Sequence, residues 1–138
     1  MTSERGQVTV MALGLAIVSL AIAGLAVDGT KAFLMRRTLQ NAADSATLAG
    51  TGELSRADYY GSKGQEVALS VGDAARTARD YLHLRSVDAR VSIEVVDDDV
   101  RLILRGASET LFLALIGISE VPVAVESNAS AVAGEEPP

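Results

Sequence analysis

The stretch VTVMALGLAIVSLAIAGLAV, residues 8–27, contains twenty residues without a single charge. As an α-helix it would rise about 30 Å, which is the thickness of the hydrocarbon core of a bilayer. Helices in the core of a soluble domain seldom stay uncharged on every face for this length. The stretch therefore predicts a transmembrane helix that is retained in the protein.

A cleaved secretory signal is the main alternative. Arg5 precedes the run, and the small residues Ala21 and Ala23 could form a signal-peptidase site. However, the run is longer than the apolar core of about 7–15 residues that is usual in signal peptides. It also continues into a helical pattern without a proline or a turn. A retained anchor is the favoured interpretation, and cleavage near Ala23 stays open.

The charges beside the run give a conflicting indication of orientation. Arg5 lies before it, whereas Lys31, Arg36 and Arg37 follow it. Taken alone, the positive-inside rule would place the C-terminal side in the cytoplasm. Because the tail of residues 1–7 is short enough to lie on either side, this indication is weak.

Small residues inside the run could let another membrane helix approach closely. They include Gly14, Ser19 and Gly24. Helix packing at these three positions is an expectation, since glycine and alanine are also common in membrane helices for no specific reason.

Composition and charge exclude several classes of function. The net charge is −6, and every acidic residue except Glu4 follows the apolar run, which argues against binding to nucleic-acid phosphates. The absence of cysteine excludes disulfides, thiol nucleophiles and cysteine-based zinc sites. His83 is the sole histidine, and no nucleophile elbow or phosphate-binding loop accompanies it. The sequence predicts no enzyme, no cofactor, no metal and no small-molecule substrate.

Helical spacing continues after the apolar run. Apolar residues recur at steps of three and four from residue 28 to residue 50, namely Met35, Leu39, Ala42, Ala46 and Ala49. Residues 51–64 are punctuated by glycines and predict a loop that contains Tyr59. Residues 65–84 have the apolar spacing of an amphipathic helix, with His83 at its end.

The remaining sequence predicts strands and one short helix. Residues 89–96 and 100–104 alternate as two strands around a hairpin turn at Asp97–Asp99, a turn that lacks the ligand spacing of a calcium loop. Gly106 is expected to break the second strand, and Ser108 to cap a short helix that ends at Gly117. Residues 121–132 predict a last strand, with Pro122 at an edge or a strand start.

The predicted fold class is therefore α+β. A transmembrane helix extends into a long helix and is followed by an amphipathic helix, a three-stranded mainly antiparallel sheet and a short helix. The expected segments are a leader or tail (1–7), the membrane helix (8–27), a helical extension (28–50), a loop (51–64), a small extracytoplasmic module (65–133) and a disordered tail (134–138).

Two long segments resemble a known family. RGQVTVMALGLAIVSLAIAGLAVDGTKAFLMRRTLQNAADSATLAG, residues 5–50, resembles the N-terminal segment of Tad (tight adherence, Flp-type) pilus-assembly proteins of the TadE and TadG kind. Its most specific part is RRTLQNAADSATLAG. SETLFLALIGISEVPVAVESNASAVAG, residues 108–134, looks like the closing segment of such proteins.

The resemblance implies a bacterial pilus-assembly protein whose partners are the membrane and other pilus subunits. It also implies a single pass through the cytoplasmic membrane with the C-terminal module outside. This orientation is opposite to the one that the positive-inside rule favours for the charges beside the run. Pilin-like members can be processed after a glycine, which here would be Gly6, so that the mature chain would start at Gln7. Such members have a glutamate at the fifth mature position, which is Met11 in this chain. This departure favours an anchored assembly component over a minor pilin that enters the fibre, while the minor pilin and the secreted binding domain stay as alternatives.

Overall fold

The computed structural model describes residues 3–59 and 65–131, with side chains described for residues 6–54 and 71–131. The elements follow in the order α1 (Ser3–Tyr59), α2 (Gln65–Leu84), β1 (Arg90–Val96), β2 (Asp99–Glu109), a short 3₁₀ helix (Leu113–Ile116) and β3 (Glu120–Ser130). This is the predicted α+β class, with a long apolar N-terminal helix, a second helix and a three-stranded antiparallel sheet. The predicted bounds of α2 are confirmed without change.

The helix α1 is continuous through residues that often interrupt helices. Hydroxyl groups in its interior donate hydrogen bonds to carbonyls one turn back, as Thr30 does to Ala26 and Thr47 to Ala43, both at 2.8 Å. These bonds satisfy the polar side chains within the helix. Serine and threonine therefore do not end it.

The sheet has the order β1-β2-β3, so β2 lies between two edge strands. β1 and β2 form a hairpin in which Arg90 pairs with Arg105 and Val96 pairs with Asp99, leaving a tight turn at Asp97 and Asp98. Asp97 takes the left-handed conformation (φ 52°) that such turns require and that aspartate tolerates. The predicted hairpin is confirmed, and Pro122 lies in the edge strand β3, where its missing amide is tolerated.

The chain divides into two compact units. One comprises Met1–Leu34 and Ala107–Val121, that is, the N-terminal part of α1 together with the β2–β3 connection. The other comprises Met35–Gly106 and Pro122–Pro138.

The second unit contains the hydrophobic core. Alternate residues of β2 are fully buried, because one face of the strand packs inward while arginines occupy the other. Four of the five residues predicted as a stripe on α1 lie in this core, with Leu39 and Ala46 buried and Met35 and Ala42 half-buried. Ala49 is half-buried outside the core, and Ala43, which the stripe did not include, is buried in it. The core is formed by Leu39, Ala43, Ala46, Ala78, Leu82, Leu102, Leu104, Val123 and Val125.

The predicted loop from residue 51 is wrong as far as Tyr59, where α1 ends. Gly50 lies where α1 meets α2, since a Cβ atom at this position would stand 3.1 Å from the carbonyl oxygen of Ala74. Leu54 is buried with Ala74 and Val100. This packing outweighs the low helix propensity of the glycines. The rest of the predicted loop, residues 60–64, lies outside the described residues.

Two expectations for the segment after the hairpin are also wrong. Gly106 does not break β2, which continues to Glu109. A Cβ atom there would stand 2.9 Å from Cε of Met35, the flexible end of a side chain that would have to shift slightly. Ser108 lies within β2 and caps no helix, and the short helix begins only at Leu113. Its predicted end at Gly117 is confirmed, with φ at 89° in the left-handed region.

Candidate functional site

A buried carboxylate holds the β2–β3 connection against α1. Asp28, at the end of the apolar run, is only 2% exposed. Its Oδ1 accepts a hydrogen bond from the amide of Leu111 at 2.8 Å, and its Oδ2 accepts bonds from the amides of Phe112 and Leu113 at 2.9 and 2.7 Å. An ionised carboxylate is an acceptor on both oxygens, so it suits three converging donors. We call this arrangement the Asp28 clasp.

The Asp28 clasp provides hydrogen-bond acceptors for amides of the β2–β3 connection. The first amides of a short helix have no partner within the helix and need an outside acceptor. Phe112, the residue that precedes the 3₁₀ helix, provides no side-chain cap. The acceptor is instead Asp28, which lies far away in sequence on α1. A single aspartate thus both caps the 3₁₀ helix and attaches the connection to α1.

The environment favours the ionised form of this carboxylate. Burial by itself would raise the pKa of Asp28, which lies just after the uncharged run. The three amide donors, with a contribution from Lys31, outweigh burial and hold the pKa below its ordinary value. The acceptor is therefore charged at neutral pH.

Gly24 forms the second half of the attachment. It lies one helical turn before Asp28, on the same face of α1, and is buried. A Cβ atom at this position would stand 2.5 Å from Cγ and 2.7 Å from Cβ of Phe112. These atoms are close to the backbone of Phe112 and cannot move aside easily, so only glycine leaves room for the ring.

The other sequence-predicted residues are not brought together with this attachment. Gly14 has no neighbouring atom within 4 Å of a built Cβ, and Ser19 is exposed. Gly6 and Gln7 lie near the start of α1 and are exposed, and Gly6 likewise has open space around it. Packing at Gly14 and Ser19 and processing at Gly6 stay predictions, whereas Gly24 contacts its own chain.

Among the described residues of the second unit lie shallow surface depressions of about 420 and 390 Å³. Arg36, Arg105 and Glu126 line the first, and Tyr81 and Arg85 line the second, with the guanidinium of Arg85 stacked 5.4 Å from the ring centre of Tyr81. Nearby, Arg101 and Glu126 form an exposed ion pair at 2.8 Å that raises the pKa of Arg101. Such groups are typical of solvated surface contacts.

The residues considered for catalysis or metal binding do not form such a site in the described part of the structure. His83 is exposed in the last turn of α2, as predicted for a helix-end histidine. Among the residues that the structure describes, no three histidines or acidic residues lie close enough to hold a metal ion. The side chain of Tyr59 lies outside the described residues.

Sequence reasoning missed the clasp. It treated Asp28 only as the boundary of the apolar run and the segment after Gly106 only as a helix with its own cap. One signal could have revealed the partnership. Asp28 directly follows twenty uncharged residues, and the segment 110–119 is equally uncharged and has no acidic residue of its own to cap its helix.

Comparison with known proteins gives one family. The profile of the Tad family, described as Flp pilus-assembly TadE/G-like, matches residues 6–76. No curated protein and no solved structure matches the chain significantly. The family match covers slightly more than half of the chain, including the apolar run, Gly24 and Asp28. The chain belongs to the Tad family of Flp pilus-assembly TadE/G-like proteins.

Proposed function

We propose that this chain is a membrane-anchored structural component of the machinery that assembles a Flp-type pilus. Residues 8–27 span the bacterial cytoplasmic membrane once, and the module of residues 65–133 lies outside it. The protein acts through helix packing in the membrane and contacts with other pilus subunits or assembly proteins. It is a structural protein, as the members of a pilus-assembly family are.

One observation carries the proposal. Every valine, leucine, isoleucine and methionine between Val8 and Val27 is exposed, with exposed fractions from 43% to 71%. In water this would leave a large apolar surface uncovered, which soluble monomers avoid. Lipid or neighbouring membrane helices would cover it without cost. The length and mean hydropathy of this part of α1 also suffice to cross a bilayer.

The attachment at Gly24 and Asp28 leaves most of the helix surface free. From residue 6 to residue 30 these are the only buried residues of α1. The remaining circumference, including Gly14 and Ser19, is available for the helices of partner subunits. This supports a role in which the membrane helix packs with partners while its end holds the β2–β3 connection.

A minor pilin that is processed after Gly6 and enters the fibre is the second candidate. Gly6 and Gln7 are exposed at the start of α1, which is compatible with access by a peptidase. Against it, the fifth residue after Gly6 is Met11 and not glutamate. A charge at that depth would need a partner within the fibre, and Met11 offers none.

The test is the mature N-terminus, measured by mass spectrometry on membrane, sheared-surface and culture-medium fractions of the native bacterium. The proposal predicts a start at Met1 or Thr2 and recovery only in membranes. A start at Gln7 in the sheared fraction, abolished by Gly6→Leu, would make the protein a minor pilin. A start near Gly24 in the medium would identify a secreted binding domain and contradict the anchor. Gly14→Leu is the matched control, because it should leave the N-terminus unchanged.

A further inference from the structure

The β2–β3 connection carries an apolar surface that the fold leaves uncovered. No residue from Thr110 to Ser119 is charged. Leu115 and Ile116 at its tip are 82% and 73% exposed, and Leu111 and Ile118 beside them are exposed as well. A connection between strands that faced only water would be expected to carry polar residues at these positions.

The attachment to α1 fixes the level of this connection relative to the membrane helix. Phe112 packs on Gly24, which lies within the apolar run, three residues or about 5 Å before its end. The Asp28 clasp holds the adjoining amides at the end of the run. The connection therefore lies beside the last turn of the membrane helix, at the level where the hydrocarbon core meets the headgroups.

The backbone of the connection is already suited to an apolar environment. In lipid, every amide without a hydrogen-bond partner is costly. Here the clasp satisfies three amides, and bonds within the connection satisfy others. The amide of Thr110 donates to Ser119, and further bonds run from Leu115 to Phe112, from Gly117 to Ala114 and from Ile118 to Leu113. The hydroxyl of Thr110 donates to the carbonyl of Ile118.

We propose that residues 111–118 form a second membrane contact, in which Leu111, Leu115, Ile116 and Ile118 insert into the lipid interface beside the transmembrane helix. This inference rests on the proposed anchor and adds a lipid-binding surface to the folded part of the chain. The apolar side chains enter the boundary between headgroups and acyl chains, as those of interfacial helices do. The connection is thereby held by the clasp on one side and by lipid on the other.

Tryptophan fluorescence of the full chain in phospholipid vesicles tests the proposal. The chain has no tryptophan, so a single substitution gives an unambiguous signal. Leu115→Trp reports on the connection, Ile17→Trp on the anchor, and Val96→Trp, exposed on β1, is the control. Lipids with brominated acyl chains quench tryptophan in the bilayer, and iodide quenches tryptophan in water. Ile116→Trp repeats the measurement at a neighbouring position.

We expect the Leu115→Trp emission to be blue-shifted and quenched by brominated lipid at least about twofold more strongly than that of Val96→Trp. Quenching by iodide equal to that of Val96→Trp would place the connection in water and overturn the proposal. Protection from both quenchers would show that protein, such as a second copy, covers the surface, and would also overturn it. If Ile17→Trp itself escapes brominated lipid, the proposed anchor fails and this inference fails with it. Lipid quenching at Ile17 alone rejects only the second contact.

Discussion

At the scale of single residues, Asp28 is the acceptor on which the β2–β3 connection depends. Asn in its place keeps the size but presents one acceptor oxygen and one donor NH₂ group to three amides. At least one amide then loses its partner. We expect Asp28→Asn to accelerate hydrogen exchange of the Leu111, Phe112 and Leu113 amides by about tenfold or more in the reconstituted full chain.

Asp73→Asn is the matched control for this measurement. Asp73 forms an exposed ion pair with Arg76 on α2, and such pairs contribute little. The control should leave the three exchange rates unchanged. Equal rates in wild type and Asp28→Asn would contradict the clasp.

Gly24 makes a steric prediction that distinguishes it from the other glycines of the run. Gly24→Ala would place a methyl group against Phe112, and overpacking of this kind costs about 1–3 kcal/mol. We expect the opening free energy of the connection, measured by the exchange of the same amides, to fall by about that amount. Gly14→Ala meets open space and should change nothing. Equal effects of the two substitutions would contradict the contact with Phe112.

The sequence could predict the chemistry of these residues but not their partnership. The sequence predicts that another membrane helix could approach at Gly24, which stays a prediction, whereas the fold places Phe112 of the same chain against this glycine. Asp28 and Leu111 are 83 residues apart, and periodicity carries no information about such a pairing. The contact depends on tertiary structure, which brings the β2–β3 connection back to α1.

At the scale of elements, the C-terminal part of α1 gives the clearest correction. The glycines of the segment from Gly50 onward predict a loop, yet residues 51–59 are helical. A Cβ atom at Gly52 would meet no described atom within 4 Å, so Gly52→Ala should stabilise the helix by about 0.5–1 kcal/mol. Denaturant unfolding of the full chain in detergent measures this change. A loss of stability would contradict a helical, unobstructed position for Gly52.

Gly50→Ala is the paired substitution. Its methyl group would stand 3.1 Å from the carbonyl oxygen of Ala74 in α2, so packing strain opposes the gain in helix propensity. We expect this variant to be less stable than Gly52→Ala by at least about 1 kcal/mol. If the two variants are equally stable, α1 and α2 do not approach each other at Gly50.

Elements with a strong hydrophobic periodicity can be predicted from the sequence. Features that depend on tertiary contacts cannot. The alternation in β1 and the helical spacing of α2 place these elements almost as observed, and the alternation at 100–104 places only the first part of β2. The sequence does not predict the extension of β2 beyond Gly106, because the low strand propensity of glycine indicates a break there. In the fold this glycine lies beside the end of the Met35 side chain, a contact that only the folded chain reveals.

At the scale of the whole molecule, the order of the predicted elements indicates the α+β class, the uncharged run predicts an anchor, and the family resemblance indicates the biological context. The profile match to residues 6–76 confirms the family. Orientation is where the two kinds of argument conflict. Lys31, Arg36 and Arg37 after the run favour a cytoplasmic module, whereas the resemblance to pilus-assembly proteins implies an extracytoplasmic one.

Thiol labelling tests this central point most directly, because the chain has no cysteine of its own. Ser92→Cys introduces a thiol at an exposed position of β1, and Thr2→Cys provides one on the other side of the apolar run. Both variants are treated with a membrane-impermeant maleimide in cells whose cytoplasmic membrane is intact, and then again after lysis. If the module is extracytoplasmic, as proposed, Ser92→Cys is labelled before lysis and Thr2→Cys only after it. The reverse pattern would place the module in the cytoplasm and contradict the proposed role in pilus assembly.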